Sequence, residues 1–306
     1  MSARLLAVAL ALAACQDPVP PKEFDGQATL AYAKTQLDFG PRIPGTPGHQ
    51  NTADWIDSTL RKRADTVIVQ AWNHVAVSGD TVPMRNFIGR FNLKAPRRIL
   101  FLAHWDSRPK ADQDTGSRAQ QPVPAANDAA SGVAVLLGMA DLLKKAAPTI
   151  GVDLLFVDGE DFGLFDDKDA DVLIGSKYYA NNPPPGPSPE YAVLLDMVGG
   201  KGAKFPKEGN SLTGAPDIVD KVWGMASRMG YSKIFIDESN GPVIDDHVPL
   251  QKAGIKAIDV IPLLGRNSGD GGYAYWHTVE DTFDKLSAET LKAVGDVMIG
   301  LVRVGK

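Results

Sequence analysis

Cysteine is all but missing: there is one, Cys15, in 306 residues. A chain of this length with 44% hydrophobic residues buries a substantial core, so it needs no disulfide or metal staple to fold. Excess positive charge is missing too. The formal net charge is −5, and no basic run interleaved with aromatics occurs, which excludes the usual nucleic-acid binder. There is no Ser in a G-x-S-x-G elbow, which argues against a serine hydrolase. Beyond residue 27 the chain has no repeat, no low-complexity tract and no second linker.

The lone cysteine sits where it is informative. Residues 1–15, MSARLLAVALALAAC, carry one early cation, Arg4, then a short apolar stretch and Leu12-Ala13-Ala14-Cys15. The stretch is too short to span a bilayer and suits a signal h-region. Small residues before a cysteine resemble a lipobox, which implies diacylation of Cys15 and durable anchoring by several acyl chains. An ordinary secretory signal with an incidental cysteine is the alternative. A mature chain with no further cysteine tolerates an oxidising compartment. Residues 16–26 read as a short polar, proline-rich tether. Gln16, rather than Asp, after the cysteine directs the expectation to the outer membrane, facing the periplasm, by resemblance to known sorting.

Residues 27–306 read as a single domain. QATLAYAKTQLDFG is helix-like and Gly40-Pro41 ends it; Thr46 is placed to cap a second helix that starts at Pro47. VIVQAWNHVAV and MRNFIGRF are rich in β-branched and aromatic residues and predict an antiparallel pair. RILFLA (98–103), VDLLFV (152–157), YAVLLD (191–196) and IKAIDVI (255–261) are nearly continuous apolar runs. Such runs suit strands covered by helices on both faces. Helical patterns lie between them at 131–145, near 174–181 and at 215–230, and a last one follows Ser287. The alternation predicts an α/β fold, a three-layer αβα sandwich around a mixed, mostly parallel sheet.

Chemistry gathers where these strands end. His104 follows RILFLA, Glu160-Asp161 follow VDLLFV, Asp196 closes YAVLLD, Asp128 precedes the helix at 131, and His277 lies beyond the last strand. The carboxyl ends of strands in open α/β sheets form the ligand crevice. Asp128 alone reads as readily as a helix cap. Adjacent acids are harder to place: Glu160 and Asp161 repel unless a cation compensates them. Carboxylates with neutral imidazoles make a donor set suited to Zn²⁺. His49 and His74 lie outside this cluster and read as structural or surface residues; Trp55, Trp72 and Trp105 read as packing. Asp106 and Arg108 fit either support of His104 or a local turn ion pair. Asp245-Asp246-His247 fits a helix start favoured by the dipole.

The order His104, Asp128, Glu160-Asp161, Asp196, His277 resembles the metal set of zinc aminopeptidases with co-catalytic metals. The strings HWDSR, NDAASG, DGEDFG, LLDMVGG, DDH and YWHTVEDT are similar, more narrowly, to bacterial glutaminyl-peptide cyclotransferases, from about Phe39 to the C-terminus. The resemblance implies a zinc-exopeptidase (phosphorylase/hydrolase-like) fold and conversion of N-terminal glutamine to pyroglutamate with release of ammonia. It implies one zinc on Asp128, Asp161 and His277, with Glu160 as general acid and base. Asp196 and Asp245 would support Glu160, and Trp276 would wall the substrate pocket. A cis peptide would follow Asp128, at Asp128-Ala129. In the aminopeptidases a second metal is added on His104 and Asp196. A zinc aminopeptidase is therefore the alternative, and a non-catalytic binding lipoprotein of the same fold is a second. Animal cyclases have Glu where Asp161 stands, a pocket tryptophan where this chain has Phe165 and Asp166, and a cysteine pair that is absent here.

Overall fold

The structure, a computed structural model, describes residues 19–163, 171–262 and 273–304. Cys15, the signal segment, Phe165 and Asp166 lie outside the described residues. Two helices lead. α1 (Gly26–Asp38) is capped by Asp25, whose carboxylate accepts the Gln27 and Ala28 N–H groups. α2 (Pro47–Arg61) starts with Pro at its first turn and Thr46 Oγ1 accepting from His49 N–H, as the sequence predicts.

β1 (Thr66–Val75) and β2 (Thr81–Phe91) form the expected antiparallel hairpin. There follow β3 (Arg98–His104), α3 (Ala130–Lys145), β4 (Gly151–Val157), α4 (Ile174–Asn181) and β5 (Tyr191–Leu195). A small parallel pair, β6 (Phe205–Lys207) with β7 (Phe235–Ser239), brackets α5 (Gly209–Gly214) and α6 (Pro216–Arg228). The chain closes with α7 (His247–Lys252), β8 (Ala257–Val260) and α8 (Ala288–Val304).

The six-stranded sheet runs β1-β2-β4-β3-β5-β8. Its first two pairings are antiparallel, while β4-β3, β3-β5 and β5-β8 are parallel. Alternate residues of each apolar strand enter different cores. Ile99, Phe101 and Ala103 pack with Val133, Leu137 and Val297, on the side of α3 and α8. Leu100 and Leu102 pack with Tyr179 of α4 and Leu250 of α7 on the opposite face. This is why the runs carry no polar alternation: both faces are covered, and each buried Leu or Phe contributes roughly 1.5–3 kcal/mol. The architecture is the expected three-layer α/β sandwich with a mostly parallel centre.

One close approach fixes the site. A Cβ at Gly132 would lie 2.2 Å from the Leu195 carbonyl oxygen and 2.8 Å from Ala103 Cβ. Glycine there lets α3 lie directly on β3 and β5, so the loop just before α3 is held over the ends of both strands. Arg42, fully buried, secures the same loop by donating to the carbonyls of Trp105 and Ala125.

Candidate active site

The carboxyl ends of the parallel strands bring six of the predicted residues into one place. His104 ends β3; Glu160 and Asp161 follow β4; Asp196 follows β5. Asp128 enters from the loop before α3 and His277 from the segment after β8. All six are buried, between 1% and 7% exposed, which for ionisable groups demands partners or a bound ion. The Asp128-Ala129 peptide is cis, as the resemblance implies. Asp128 caps nothing: Ala129 is the capping position of α3 and makes no side-chain bond, so the cap reading is corrected. Met197 (φ 51°) and His277 (φ 54°) adopt the left-handed region without being glycine. Such outliers concentrate at functional sites, where the surrounding packing holds them.

Two ligand groups share Asp128. Donor atoms of Asp128, Asp161 and His277 lie within 4.8 Å of one another, and so do those of His104, Asp128 and Asp196. In the first group His277 Nε2 is 3.2 Å from Asp161 Oδ1 and 3.6 Å from Asp128 Oδ2. Asp161 Oδ2 is buried with no hydrogen-bond partner, an orphan that a cation would satisfy. Oxygen and imidazole donors in this number fit zinc. In the second group His104 Nε2 stands 3.0 Å from Asp128 and 3.2 Å from Asp196, with Nδ1 3.4 Å from Asp106.

The electrostatics follow from crowding. Burial and the Asp161 charge push the Glu160 carboxyl well above its ordinary range. Burial, with Asp161 and Asp196, lifts Asp128 to about 6. Burial also acts on Asp161, but His277 and Arg108 outweigh it and hold that carboxylate well below its usual range. Burial alone would lower His277; Asp161 and Asp112 instead raise it to about 9. These are the marks of a site built for a cation: acids crowded together, with the counter-charge supplied by imidazoles and Arg108.

Several supporting residues lie far away in sequence. Asp106 accepts the Glu160 N–H at 3.0 Å and the Asp161 N–H at 3.1 Å, one on each oxygen. Arg108 donates to Asp161 at 2.9 Å and to Asp112 at 2.6 Å. Asp106 thus also stands 3.4 Å from His104 Nδ1, the supporting role expected of it, while Arg108 makes a local ion pair with Asp112 and reaches Asp161 as well. Asp112, which the sequence reading passed over, stands 3.2 Å from His277 Nδ1 and leaves Nε2 to face Asp161. Asp281 was also missed, though it lies within YWHTVEDT. Its carboxylate accepts the Asn127 and Asp128 N–H groups and the Tyr273 hydroxyl.

His49 is indeed structural: it lies 3.0 Å from Asp158 and stacks on Trp105 at 4.3 Å. His74 pairs with Asp171, Trp72 stacks on Tyr178, and Trp55 meets Phe39. α7 begins at His247 as expected, but Asp246 at its cap position makes no side-chain capping bond. Asp245 instead accepts the Asp246 N–H, and its carboxyl lines the active-site cavity. That cavity, about 570 Å³, is bounded by Asp128, Asp161, Glu160, Asp196, Asp245 and the half-buried Trp276, whose indole stacks on His277 at 4.0 Å. Its size suits the end of a peptide.

Fold and site define an α/β enzyme scaffold of the zinc-exopeptidase type. The chain belongs to peptidase family M28, whose family model matches residues 86–302. It is similar to a crystal structure of Bacteroides thetaiotaomicron glutaminyl cyclase bound to N-acetylhistamine. That likeness has 38% identity and a TM-score of 0.88, over 94% of this chain and all of that one. A Zn-dependent exopeptidase from Parabacteroides distasonis gives 36% identity and a TM-score of 0.87, again over 94% of this chain and all of the other. Aminopeptidase YwaD of Bacillus subtilis is 27% identical over 215 residues, 69% of this chain, and this chain spans 42% of its length.

Proposed function

We propose that this protein is a zinc-dependent glutaminyl-peptide cyclotransferase, in which residues 27–306 act as one catalytic domain. The observation that carries the reading is that one cavity holds the Asp128–Asp161–His277 triad together with a buried Glu160 and the Trp276 indole. The full-length likeness to a bacterial glutaminyl cyclase supports it. Asp128, Asp161 and His277 would hold the zinc, which when bound supplies Lewis-acid polarisation of the γ-carbonyl of an N-terminal glutamine. Glu160 takes a proton from the α-amine as that nitrogen bonds to the γ-carbon. It returns the proton to the amide nitrogen as the carbon–nitrogen bond breaks and ammonia leaves. Attack within one molecule needs the right rotamer above all, so Trp276 and the Asp196–Asp245 side of the cavity contribute by positioning. One zinc is favoured over two, because the buried carboxylate oxygen left without a partner, Asp161 Oδ2, belongs to the first triad.

A second reading, a zinc aminopeptidase, is favoured by one specific observation: the His104–Asp128–Asp196 group is intact. Chelated protein restored with zinc and given glutaminyl and leucyl amides separates the two. Ammonia release with pyroglutamate formation is the expected result; leucyl cleavage without it overturns the cyclase. Metal content near one zinc per chain accompanies the first outcome, near two the second. Glu160→Gln is expected to keep its zinc and lose about a hundredfold or more in turnover. For the N-terminal segment we propose lipidation at Cys15 and an envelope location facing the periplasm. Among the described residues no helix is long and apolar enough to cross a membrane. Labelling with a radioactive or alkynyl fatty acid, lost in Cys15→Ala, is the test.

A further inference from the structure

The chain enters the fold at the end of the molecule away from the catalytic cavity. From Pro20 onward the segment read as a tether is packed on the domain. A Cβ at Gly300 of α8 would lie 3.2 Å from Pro20 Cγ and 3.0 Å from Met229 Sδ. Lys22 Nζ sits 4.1 Å over the Tyr231 ring, Glu23 pairs with Arg303 at 2.9 Å, and the Phe24 N–H donates to Asp296. Val19, the first described residue, is 55% exposed. Cys15 stands four positions before it, a length of chain that reaches about 14 Å at most. Acyl chains on Cys15 would therefore hold a membrane close to the carboxyl ends of α6 and α8.

Those helix ends lie at the base of the sheet, where its parallel strands begin. Met225 and Arg228 of α6 and Leu301 and Val304 of α8 line a small cavity with Ile99 and Tyr191, at the starts of β3 and β5. At about 3.3 Å per residue, roughly 20 Å of β3 separates this base from His104. The base is basic, in a chain whose net charge is −5. Lys221 and Arg228 flank the small cavity, and Lys144 and Lys145 end α3, which Arg303 joins to α8 through the Ala146 carbonyl. Lys94 follows the exposed Leu93 in the loop from β2 to β3, where Asn92 donates to the Pro148 carbonyl. These four lysines and Arg228 are exposed and make no ion pair among the described residues. Of the acids nearby, Glu190, Glu23 and Asp217 are engaged by Arg97, Arg303 and Lys256. Asp220, beside Lys221, and Asp65, which accepts the Asn92 N–H, are the acids of this region outside ion pairs among the described residues.

We infer that the base of the sheet is the surface on which the enzyme rests against an anionic phospholipid membrane, so that the catalytic cavity faces away from the bilayer toward soluble peptides. The inference rests on acylation of Cys15 for its tether and on the lysines and Arg228 for its orientation. Each Lys or Arg beside an anionic surface strengthens contact about fivefold, and that attraction fades over a screening length of about 8 Å. The short reach from Cys15 to Val19 keeps the base near that range. Leu93, 51% exposed, adds an apolar contact at the same surface. Acyl chains by themselves fix the distance of the domain from the bilayer; the charges decide which face it turns inward.

The test uses the full acylated chain in vesicles of phosphatidylethanolamine and phosphatidylglycerol, with one introduced thiol carrying a fluorophore. Leu93→Cys reports on the base. Ser117→Cys reports on the cavity side, next to Arg118, which pairs with Glu280 close to His277. A quencher on the lipid headgroups is expected to act about fivefold more strongly at position 93 than at 117. High salt, or vesicles of phosphatidylcholine, is expected to cut that contrast at least twofold, roughly as screening predicts. Lys221→Glu with Arg228→Glu should do the same while melting temperature and turnover of a soluble glutaminyl amide stay unchanged. The salt and lipid comparisons keep these charges intact, so they decide the matter even if the charge variants fold poorly. Equal quenching at the two positions, or a contrast that neither salt nor phosphatidylcholine reduces, overturns the inference. If fatty-acid labelling finds Cys15 unacylated, the anchoring reading has failed separately, and the full chain is then sedimented with the same vesicles. Binding to phosphatidylglycerol vesicles that weakens about 25-fold or more in the double charge reversal upholds the surface. No binding to them, or equal binding to phosphatidylcholine, overturns it.

Discussion

The Asp106 carboxylate holds the backbone of Glu160: its Oδ1 accepts the Glu160 N–H at 3.0 Å, while Oδ2 takes the next N–H along the chain. The acid that the mechanism asks to shuttle a proton is thereby aimed by a residue 54 positions earlier. Asp106→Asn places an amide NH₂ against one of two N–H donors, leaving that donor unsatisfied at a cost of about 1–3 kcal/mol. Lower stability by denaturant titration and a kcat reduced about tenfold or more are expected, with zinc retained. Wild-type turnover in this variant would show that Glu160 is held by other means.

Asp112 faces His277 from behind, 3.2 Å from Nδ1. Such a carboxylate sets which imidazole nitrogen is free to bind metal, and its loss typically weakens metal binding about 10–100-fold. Asp112→Ala is therefore expected to raise the zinc dissociation constant by that factor in chelator competition. Activity should return at higher zinc. A variant whose zinc affinity matches the unaltered enzyme removes Asp112 from this role.

The contact of α3 with the sheet predicts a stability effect away from any charge. Gly132→Ala sets a methyl group 2.2 Å from the Leu195 carbonyl oxygen, and backbone on both sides has to separate. Overpacking of this kind costs about 1–3 kcal/mol. A lowered melting temperature is expected, with weaker zinc binding because Asp128 rides on the same loop. A melting temperature at or above that of the unaltered protein contradicts it.

Glu208 supplies a pH dependence. Burial would raise its carboxyl, yet His247, Ser211 and the Asn210 and Val243 N–H groups hold it at about 2, below the ordinary 4.5, so folding favours the ionised form. The stabilisation is complete above the unfolded value and is lost as pH falls through the window from about 4.5 to about 2; its size is on the order of 3 kcal/mol. Metal-free protein and metal-free Glu208→Gln, unfolded by urea between pH 3 and 7, should differ by a constant amount above pH 5. The gap should narrow below pH 4.5. A gap that widens toward low pH reverses the sign and refutes the assignment.

The central strands and the candidate metal ligands were legible along the chain because both obey local rules. A strand covered on two faces has to be apolar throughout, as RILFLA and VDLLFV are, and an ionisable residue at its end has to find a partner or a metal. His104, Asp128, Glu160, Asp161, Asp196 and His277 stand out by that logic. The capping reading of Asp128 failed for a related reason, and α7 starts at His247 as expected but without a capping bond from Asp246. An acid before a helix looks the same in sequence whether its carboxylate turns to the helix or to the cavity, and only the packing of α3 and α7 on the sheet settles which.

What the sequence determined by itself is thus the layered α/β order and the set of acids and imidazoles at the strand ends, since periodicity and desolvation act residue by residue. What tertiary structure alone decided is how those groups are held. Asp106 under Glu160, Asp112 behind His277 and Asp281 beneath Asp128 all join segments distant in the chain, brought together by parallel strands and their crossovers. The isolated Asp281 in HTVEDT carries no mark of its partner. Burial forces it to have one, and the fold chooses which.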